Sequence, residues 1–348
     1  MGRVPVVIAT PLEPELVERV RAVDDRLDVR FEAELLPPPR YPSDHRGADD
    51  FRRTAAEDAR FSALVAGAEV LYGIPGDLPE GLAWAVRTAP HLRFLQATAA
   101  GAGQQVRAAQ LTPEELERVA ISSAAGVHAV PLAEWSILGL LAFTKGLPRL
   151  RRDSDARRWP HYPVDELRGK TLLVVGVGAI GAETARLASA FGMRVVGVKR
   201  DVHGDIPHVD SLHPPEELPE LVAHVDAVVI TLPLTDETRG LVDRATIERI
   251  RDGAIFVNVG RGAVVDEEAL IDALQSGKLA GAALDVFAEE PLPDSSPLWQ
   301  LDNVIVSPHT AALSWHENER IVELFVENLR RYLRGEQLLS RVRTSVFY

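Results

Sequence analysis

Residues 171–201 read TLLVVGVGAIGAETARLASAFGMRVVGVKRD. An apolar run, LLVV, leads directly into Gly176, Gly178 and Gly181, which have G-x-G-x-x-G spacing. A helical pattern follows, with Ile180, Thr184, Leu187, Ala188 and Phe191 on one face and Gly192 to stop it. A second apolar strand begins at once and ends on Lys199 and Arg200. This strand–turn–helix–strand context gives an otherwise weak glycine pattern its meaning. Gly176 permits the tight turn, and Gly178 lets the backbone approach a pyrophosphate. Gly181 lets helix and strand pack closely, and the helix N-terminus presents oriented N–H donors. The stretch reads as the opening of a dinucleotide-binding unit.

The strand after such a turn usually ends in an acid that holds a ribose hydroxyl. Here Lys199 stands eighteen positions past Gly181, with Arg200 beside it. A Lys–Arg pair suits a 2′-phosphate, so the expected cofactor is NADP in preference to NAD. Solvated strand-end charges are the alternative, and a register one or two residues longer would restore an acid, Asp201.

Working outward, six candidate strands follow Gly169: TLLVVG, MRVVGVK, DAVVITLP, AIFVNVG, AGAALDVF and VIVSPH. Continuous Val/Ile runs suit parallel strands buried on both faces. Upstream, VPVVIA (4–9), LDVRFEA (27–33), VLYG (70–73), LRFLQAT (92–98) and VAISSA (119–124) alternate with helical stretches near 13–23, 54–67 and 80–88. Such alternation argues for a second parallel sheet with crossover helices. The fold class is therefore α/β: two flavodoxin/Rossmann-like domains with doubly wound parallel sheets and a cleft between them. The expected division is a discontinuous substrate domain, 1–126 plus 310–348, and a dinucleotide-binding domain, 127–309.

Three segments lie outside the regular alternation. LLPPPRYPSDHRGADD (35–50) reads as a surface loop, with a substrate-side or subunit-contact role as the alternative. PLAEWSILGLLAFTKGLPRLRR opens with Pro131 at a first helical position and sets Leu132, Trp135, Leu138, Leu141 and Ala142 on one face. It reads as a long helix buried between the domains, with a possible kink at Pro148. A last helix is expected over 314–334, with Ser314 and Glu317 at capping-box spacing, an apolar stripe of Ile321, Leu324, Phe325 and Leu329, and Gly335 at its end.

Composition narrows the functional classes. With 348 residues and 46% hydrophobic content, two ordinary cores are affordable. A formal net charge of −13 argues against binding nucleic acid or anionic membranes, and an anionic ligand would need a local cationic pocket. There is no Cys, hence no disulfide, thiol nucleophile or thiolate metal site. The ten His lack ligand spacing, so no metal is expected. The amino terminus does not read as a signal peptide, and no apolar stretch is long enough to span a bilayer, so the chain is expected to be cytoplasmic.

Three further motifs each sit at the end of an apolar strand: NVGRGAVVDEEAL (258–270), ALDVFAEEPLP (283–293) and VIVSPHTAALS (304–314). Doubly wound sheets place ligands at such ends. Together with GVGAIG, these motifs resemble the D-isomer-specific 2-hydroxyacid dehydrogenases, clearly from about Val130 to His309. LRFLQATAAGAGQ (92–104) looks like that family's substrate loop, with AGAG in place of Ala-Gly-Val-Asp. The resemblance implies that Arg261 grips the substrate carboxylate and polarises its keto oxygen. It implies that His309 is the general acid/base and that Glu290 orients it. Backbone N–H groups at Ala100 and Gly101 would hold the carboxylate, and Asp285 would lie near the nicotinamide amide. The candidate coenzyme positions are Gly176, Gly178, Ala179, Ile180, Gly181, Lys199, Arg200, Leu232, Pro233, Thr238, Val259 and Asp285. Trp135 and Trp315 read as core or interface residues.

The chemistry is coherent in its own right. Reducing a 2-keto acid needs a hydride at C2, a proton at the oxygen and neutralisation of developing charge. A nicotinamide, a His–carboxylate pair and an Arg fork supply these in turn. The expected substrate is a small 2-keto acid or its 2-hydroxy acid, with glyoxylate or hydroxypyruvate foremost by resemblance, in a homodimer. A formate- or phosphite-type dehydrogenase on the same scaffold is one alternative, though Glu290 stands where formate dehydrogenases have Gln. A dinucleotide-sensing, corepressor-like binding protein is the other.

Overall fold

The computed structural model describes residues 3–344 and divides the chain into two units, one running through His128 and resuming at Leu313, the other Ala129–Ala312. In the N-terminal unit the strands are β1 (Val4–Ile8), β2 (Leu27–Arg30), β3 (Val70–Tyr72), β4 (Phe94–Gln96) and β5 (Ala120–Ser122). All pair in parallel, in the order β2-β1-β3-β4-β5. Successive side chains on a strand point to opposite faces. Val7 and Leu71 therefore join one core, under α2 (Ala55–Ala66) and α3 (Pro79–Thr88), while Val6, Ile8, Val70 and Tyr72 join another, under α1 (Pro14–Arg21) and the C-terminal helix Glu317–Arg334. Short helices α4 (Ala102–Ala108) and α5 (Pro113–Arg118) complete the unit.

The C-terminal unit opens with α6 (Ala129–Thr144) and α7 (Leu147–Asp155). Its sheet consists of β6 (Thr171–Val175), β7 (Arg194–Val198), β8 (Ser211–His213), β9 (Ala227–Ile230), β10 (Ile255–Asn258), β11 (Gly281–Leu284) and β12 (Val304–Val306). The order is β12-β11-β10-β9-β6-β7-β8, parallel throughout. This is the nucleotide-binding order 3-2-1-4-5-6 with a seventh strand added at one edge. The crossovers carry α8 (Ala179–Ala190), α9 (Leu218–Leu221), α10 (Arg244–Arg249) and α11 (Glu267–Gln275).

Several local expectations need correction. The sheet has seven strands rather than six, because β8, with its half-buried residues, carries no apolar run to mark it. The strands expected over 27–33, 92–98 and 119–124 shrink to three or four residues each. The helix expected from Pro131 begins at Ala129 and ends at Thr144, and the break lies at Gly146 in the left-handed conformation, not at Pro148. Pro148 sits harmlessly in the first turn of α7, which meets α6 at 61°. Leu138 lies off the buried face of α6 at 51% exposure, and Phe191, expected on the packed face of α8, caps that helix in the open. Trp315 is 82% exposed, which excludes a core role, whereas Trp135 is half-buried against the C-terminal core. No single helix among the described residues is long and apolar enough to cross a membrane.

The 35–50 segment is more than a surface loop. Asp44 is buried and takes hydrogen bonds from the Arg40 backbone N–H, the Arg40 guanidinium and the Gly47 N–H. It thus organises the segment without regular secondary structure, and Arg40 holds its carboxyl down at about 2 against the opposing effect of burial.

The C-terminal helix starts at Glu317, and the Ser314/Glu317 capping box does not form. The buried Glu317 carboxylate instead lies 3.0 Å from Nε2 of buried His128 and 3.8 Å from Nε2 of His45. Burial would raise its pKa, but the two imidazoles outweigh this and hold it at about 2. A carboxylate held below its unfolded value stabilises the fold above that value and loses the contribution as pH falls toward 2. Glu317→Gln is therefore expected to lower stability at pH 7 by about 2–3 kcal/mol and to flatten the fall in Tm between pH 4.5 and 2. Scanning calorimetry of both proteins over that range checks it. An unchanged acid limb would assign the pH dependence to other carboxylates.

Candidate active site

The parallel register of the C-terminal sheet gathers the motifs into one row. Val198, Val175, Ile230, Asn258, Leu284 and Val306 are consecutive cross-strand partners. The residues just after them, Lys199, Gly176, Thr231, Val259, Asp285 and Ser307, therefore stand along the carboxyl edge of the sheet. Backbone hydrogen bonds continue the ladder one step beyond the strands. The N–H groups of Gly176, Thr231, Val259, Asp285 and Ser307 donate to the carbonyls of Val198, Val175, Ile230, Asn258 and Leu284.

At the glycine turn, Gly176 has φ +104, which L side chains rarely adopt. Gly178 caps α8 with no side-chain hydrogen bond, and a Cβ built there would meet nothing within 4 Å. Gly181 is closed in, since its Cβ would fall 2.3 Å from the Gly176 carbonyl oxygen. The first N–H groups of α8, at Ala179 and Ile180, have no intrahelical partners. Such a cradle at a helix N-terminus, with room beside Gly178, fits a dinucleotide pyrophosphate. Leu232 packs over Gly176. Pro233 and Thr238 belong to one turn, in which Thr238 Oγ1 donates to the Pro233 carbonyl at 2.6 Å and accepts from the Thr235 N–H at 2.8 Å.

At the end of β7 the two cations differ. Arg200 is exposed and pairs with Glu237 at 2.6 Å. Lys199 is half-buried and has no ion-pair partner among the described residues.

At the other end of the row, His309 Nδ1 lies 2.7 Å from Glu290 Oε2. The Phe287 N–H donates to Glu290 Oε1 at 3.0 Å and fixes that carboxylate. His309 has φ +54, and its N–H is shared between the Asp285 and Ser307 carbonyls, each at 3.0 Å. Its Nε2 has no partner among the described residues. Asp285, 1% exposed, builds the turn that presents this ring: its Oδ1 accepts from Ser307 Oγ at 2.6 Å and from the N–H groups of Thr310 and Ala311 at 2.9 Å. Asp285, expected near the nicotinamide amide, is thus also the scaffold of this turn, a role that its sequence position alone did not suggest. A buried acid one residue past a strand, facing the Ser of a following S-P-H, was the available signal.

Arg261 follows β10, between two glycines. At Gly262 a Cβ would strike the Phe287 backbone at 1.9 Å, so the chain before Glu290 presses directly on the chain after Arg261. Burial lowers the pKa of Arg261, and the carboxylates of Glu290 and Asp285 oppose that shift. Arg261 thus feels the Glu290 and Asp285 carboxylates, and Glu290 in turn pairs with His309. Ala100 and Gly101 belong to the N-terminal unit. There Ala100 is exposed, and Gly101 caps α4.

A dinucleotide-domain family model, D-isomer specific 2-hydroxyacid dehydrogenase, NAD binding domain, matches residues 137–311. The chain belongs to the D-isomer-specific 2-hydroxyacid dehydrogenase family. Glyoxylate reductase from Thermofilum pendens is 35% identical over 235 residues, 64% of this chain and 68% of its own. (S)-sulfolactate dehydrogenase from Chromohalobacter salexigens is 35% identical over 217 residues, 62% of this chain and 70% of its own. Among solved structures, a D-isomer specific 2-hydroxyacid dehydrogenase from Xanthobacter autotrophicus, in complex with NADPH and MES, superposes with a TM-score of 0.76 at 29% identity, covering 100% of both chains. The family member described here is an oxidoreductase with a nicotinamide-dinucleotide-binding domain.

Proposed function

We propose that this dehydrogenase reduces a small 2-keto acid to the D-2-hydroxy acid, with glyoxylate or hydroxypyruvate foremost and NADPH preferred over NADH. The observation that carries the reading is the 2.7 Å His309–Glu290 pair, set with Arg261 on the same sheet edge as the glycine turn. A reduced nicotinamide, when bound, supplies the hydride. Gly176, Gly178 and the α8 N-terminus would hold its pyrophosphate, with Leu232, Pro233, Thr238 and Val259 beside it. Arg261 clamps the substrate carboxylate and draws charge from the keto oxygen. His309 delivers a proton to that oxygen from Nε2, while Glu290 on Nδ1 fixes the ring. Ala100 and Gly101 are retained as further carboxylate contacts.

A panel of 2-keto acids tested with both coenzymes decides the reading. Reduction of glyoxylate or hydroxypyruvate with NADPH is the expected result, and slow turnover on every acid would favour a dinucleotide sensor. Lys199 provides the sharper test. A charge-assisted bond to the 2′-phosphate is worth about 1.5–3 kcal/mol, so roughly 10–100-fold preference for NADPH is expected. Lys199→Asp removes that attraction and offers the ribose an acceptor, so the ratio of kcat/KM values should move toward NADH. Arg200, already paired with Glu237, contributes less. Equal use of both coenzymes, or an unmoved ratio in the variant, would return Lys199 and Arg200 to solvated strand-end charges.

A further inference from the structure

The N-terminal unit carries a site that the dinucleotide chemistry does not use. In a parallel sheet ordered β2-β1-β3-β4-β5 the winding reverses between β1 and β3, and ligands lie outside the carboxyl ends at that reversal. A cavity of about 600 Å³ opens there, a size typical of small-molecule sites. Ala9 and Pro11 wall it after β1, and Pro75 and Leu78 after β3. The segment that buried Asp44 organises, together with α2 and α3, closes the rest.

Three arginines line this cavity, and they are not equivalent. Arg46 lies 3.3 Å from the Asp49 carboxylate. Arg52 Nη1 donates to the carbonyls of Asp49 and Phe51. Arg53 is different. Its side chain is four-fifths buried, with its guanidinium 4.0 Å above the Phe61 ring, which stacks on Trp84 at 5.8 Å and 9°. Its Nε is pinned to the Leu35 carbonyl. Its Nη groups have no hydrogen-bond partner among the described residues, and the nearest carboxylate, the largely exposed Asp58, is 3.8 Å from Nη1. A planar cationic fork thus stands at the wall of a cavity that Asp49 and Asp58 also line, its Nη groups without a hydrogen bond, in a chain whose net charge of −13 otherwise repels anions. Beside it Leu78 is 41% exposed, offering apolar surface.

We propose that this cavity binds a small organic carboxylate with an apolar body, the carboxylate on the Arg53 fork and the body against Leu78 and Trp84. A carboxylate matches the fork bidentately, and a body of six or more carbons fills space that a two-carbon acid leaves to water. Binding here requires neither coenzyme nor turnover. The site is separate from the one in the reductase reading above, where the substrate carboxylate sits on Arg261.

The test is calorimetric titration of the whole, coenzyme-free chain with 3-phenylpropanoate, which cannot be reduced as a keto acid. Acetate and 3-phenylpropan-1-ol serve as controls lacking body and charge respectively. Saturable one-site binding is expected, at least ~10-fold tighter than either control, since a charge-assisted bond and a buried ring are each worth that factor. Arg53→Lys keeps the charge but loses the fork and should weaken binding about tenfold. Because Arg53 also holds Leu35, a second variant fills the cavity without touching that bond: Ser62→Phe, at the lining of α2, should abolish binding with an unchanged Tm. Absence of saturable heat, or binding indifferent to both variants, overturns the site. If binding fails while glyoxylate is still reduced, the site is wrong and the reductase reading stands. If binding is found but no keto acid turns over, the reverse holds.

Discussion

His309→Ala is expected to cut kcat by about 10²–10⁴, the range for loss of a positioned general acid, while NADPH affinity stays within about threefold. The geometry explains why the effect falls on chemistry. The ring is fixed through Nδ1 by Glu290 at 2.7 Å, and Glu290 is fixed in turn by the Phe287 N–H, so Nε2 is the only ring nitrogen free to serve a substrate oxygen. The glycine turn shares no hydrogen bond with this pair, so coenzyme binding should survive. The φ of +54 at position 309 makes Asn the gentler control, because Asn tolerates the left-handed region better than Ala. His309→Asn should therefore lose turnover just as far while keeping the parent Tm. Glu290→Gln preserves the shape and removes the carboxylate that orients the ring, so it should lower kcat less than loss of the imidazole itself. Wild-type turnover in His309→Asn would remove the residue from the mechanism.

How legible this was depended on what each residue does. The glycine turn and the strand ends could be read because buried parallel strands leave continuous Val/Ile runs, and the motifs sit where those runs stop. The parallel, doubly wound class follows from the same pattern, whereas the strand order, with its unmarked β8, does not. What could not be read were roles set by long-range partners. Ser314 and Glu317 have capping-box spacing, yet Glu317 is taken by His128, nearly two hundred residues away, because two buried imidazoles outbid a single backbone N–H. The helix break fell at Gly146 and not Pro148 because a left-handed residue ends a helix, whereas a proline in a first turn is tolerated. The 35–50 segment read as a loop because its order comes from irregular bonds, chiefly those to the buried Asp44 carboxylate and that from Thr10 to the His45 carbonyl, which have no periodicity to reveal them. Likewise the Arg53–Phe61–Trp84 stack joins residues from three places in the chain, and no local pattern connects them.

Arg261→Lys is expected to lower kcat/KM on the best keto acid by about 10²–10³, the size of effect found when one preorganised donor to a developing oxyanion is lost. Lysine keeps the charge, so any loss reports geometry. Arg261 stands between glycines because the Leu232 backbone presses on Gly260 and the Phe287 backbone on Gly262, and its guanidinium feels the carboxylates of Glu290 and Asp285. A guanidinium there can hold the substrate carboxylate and at the same time face the keto oxygen; an ammonium is a point charge that can do one or the other. Both kcat and KM should therefore worsen, since the clamp acts in the ground state and the polarisation only in the transition state. The desolvated setting strengthens the effect, because charge interactions grow as water is excluded. NADPH affinity and Tm should hold, as among the described residues the Arg261 side chain bonds only its neighbouring Gly260 carbonyl, at 2.7 Å. A rise in KM with kcat intact would leave Arg261 as a carboxylate anchor alone, and the polarisation of the keto oxygen would then have to come from His309.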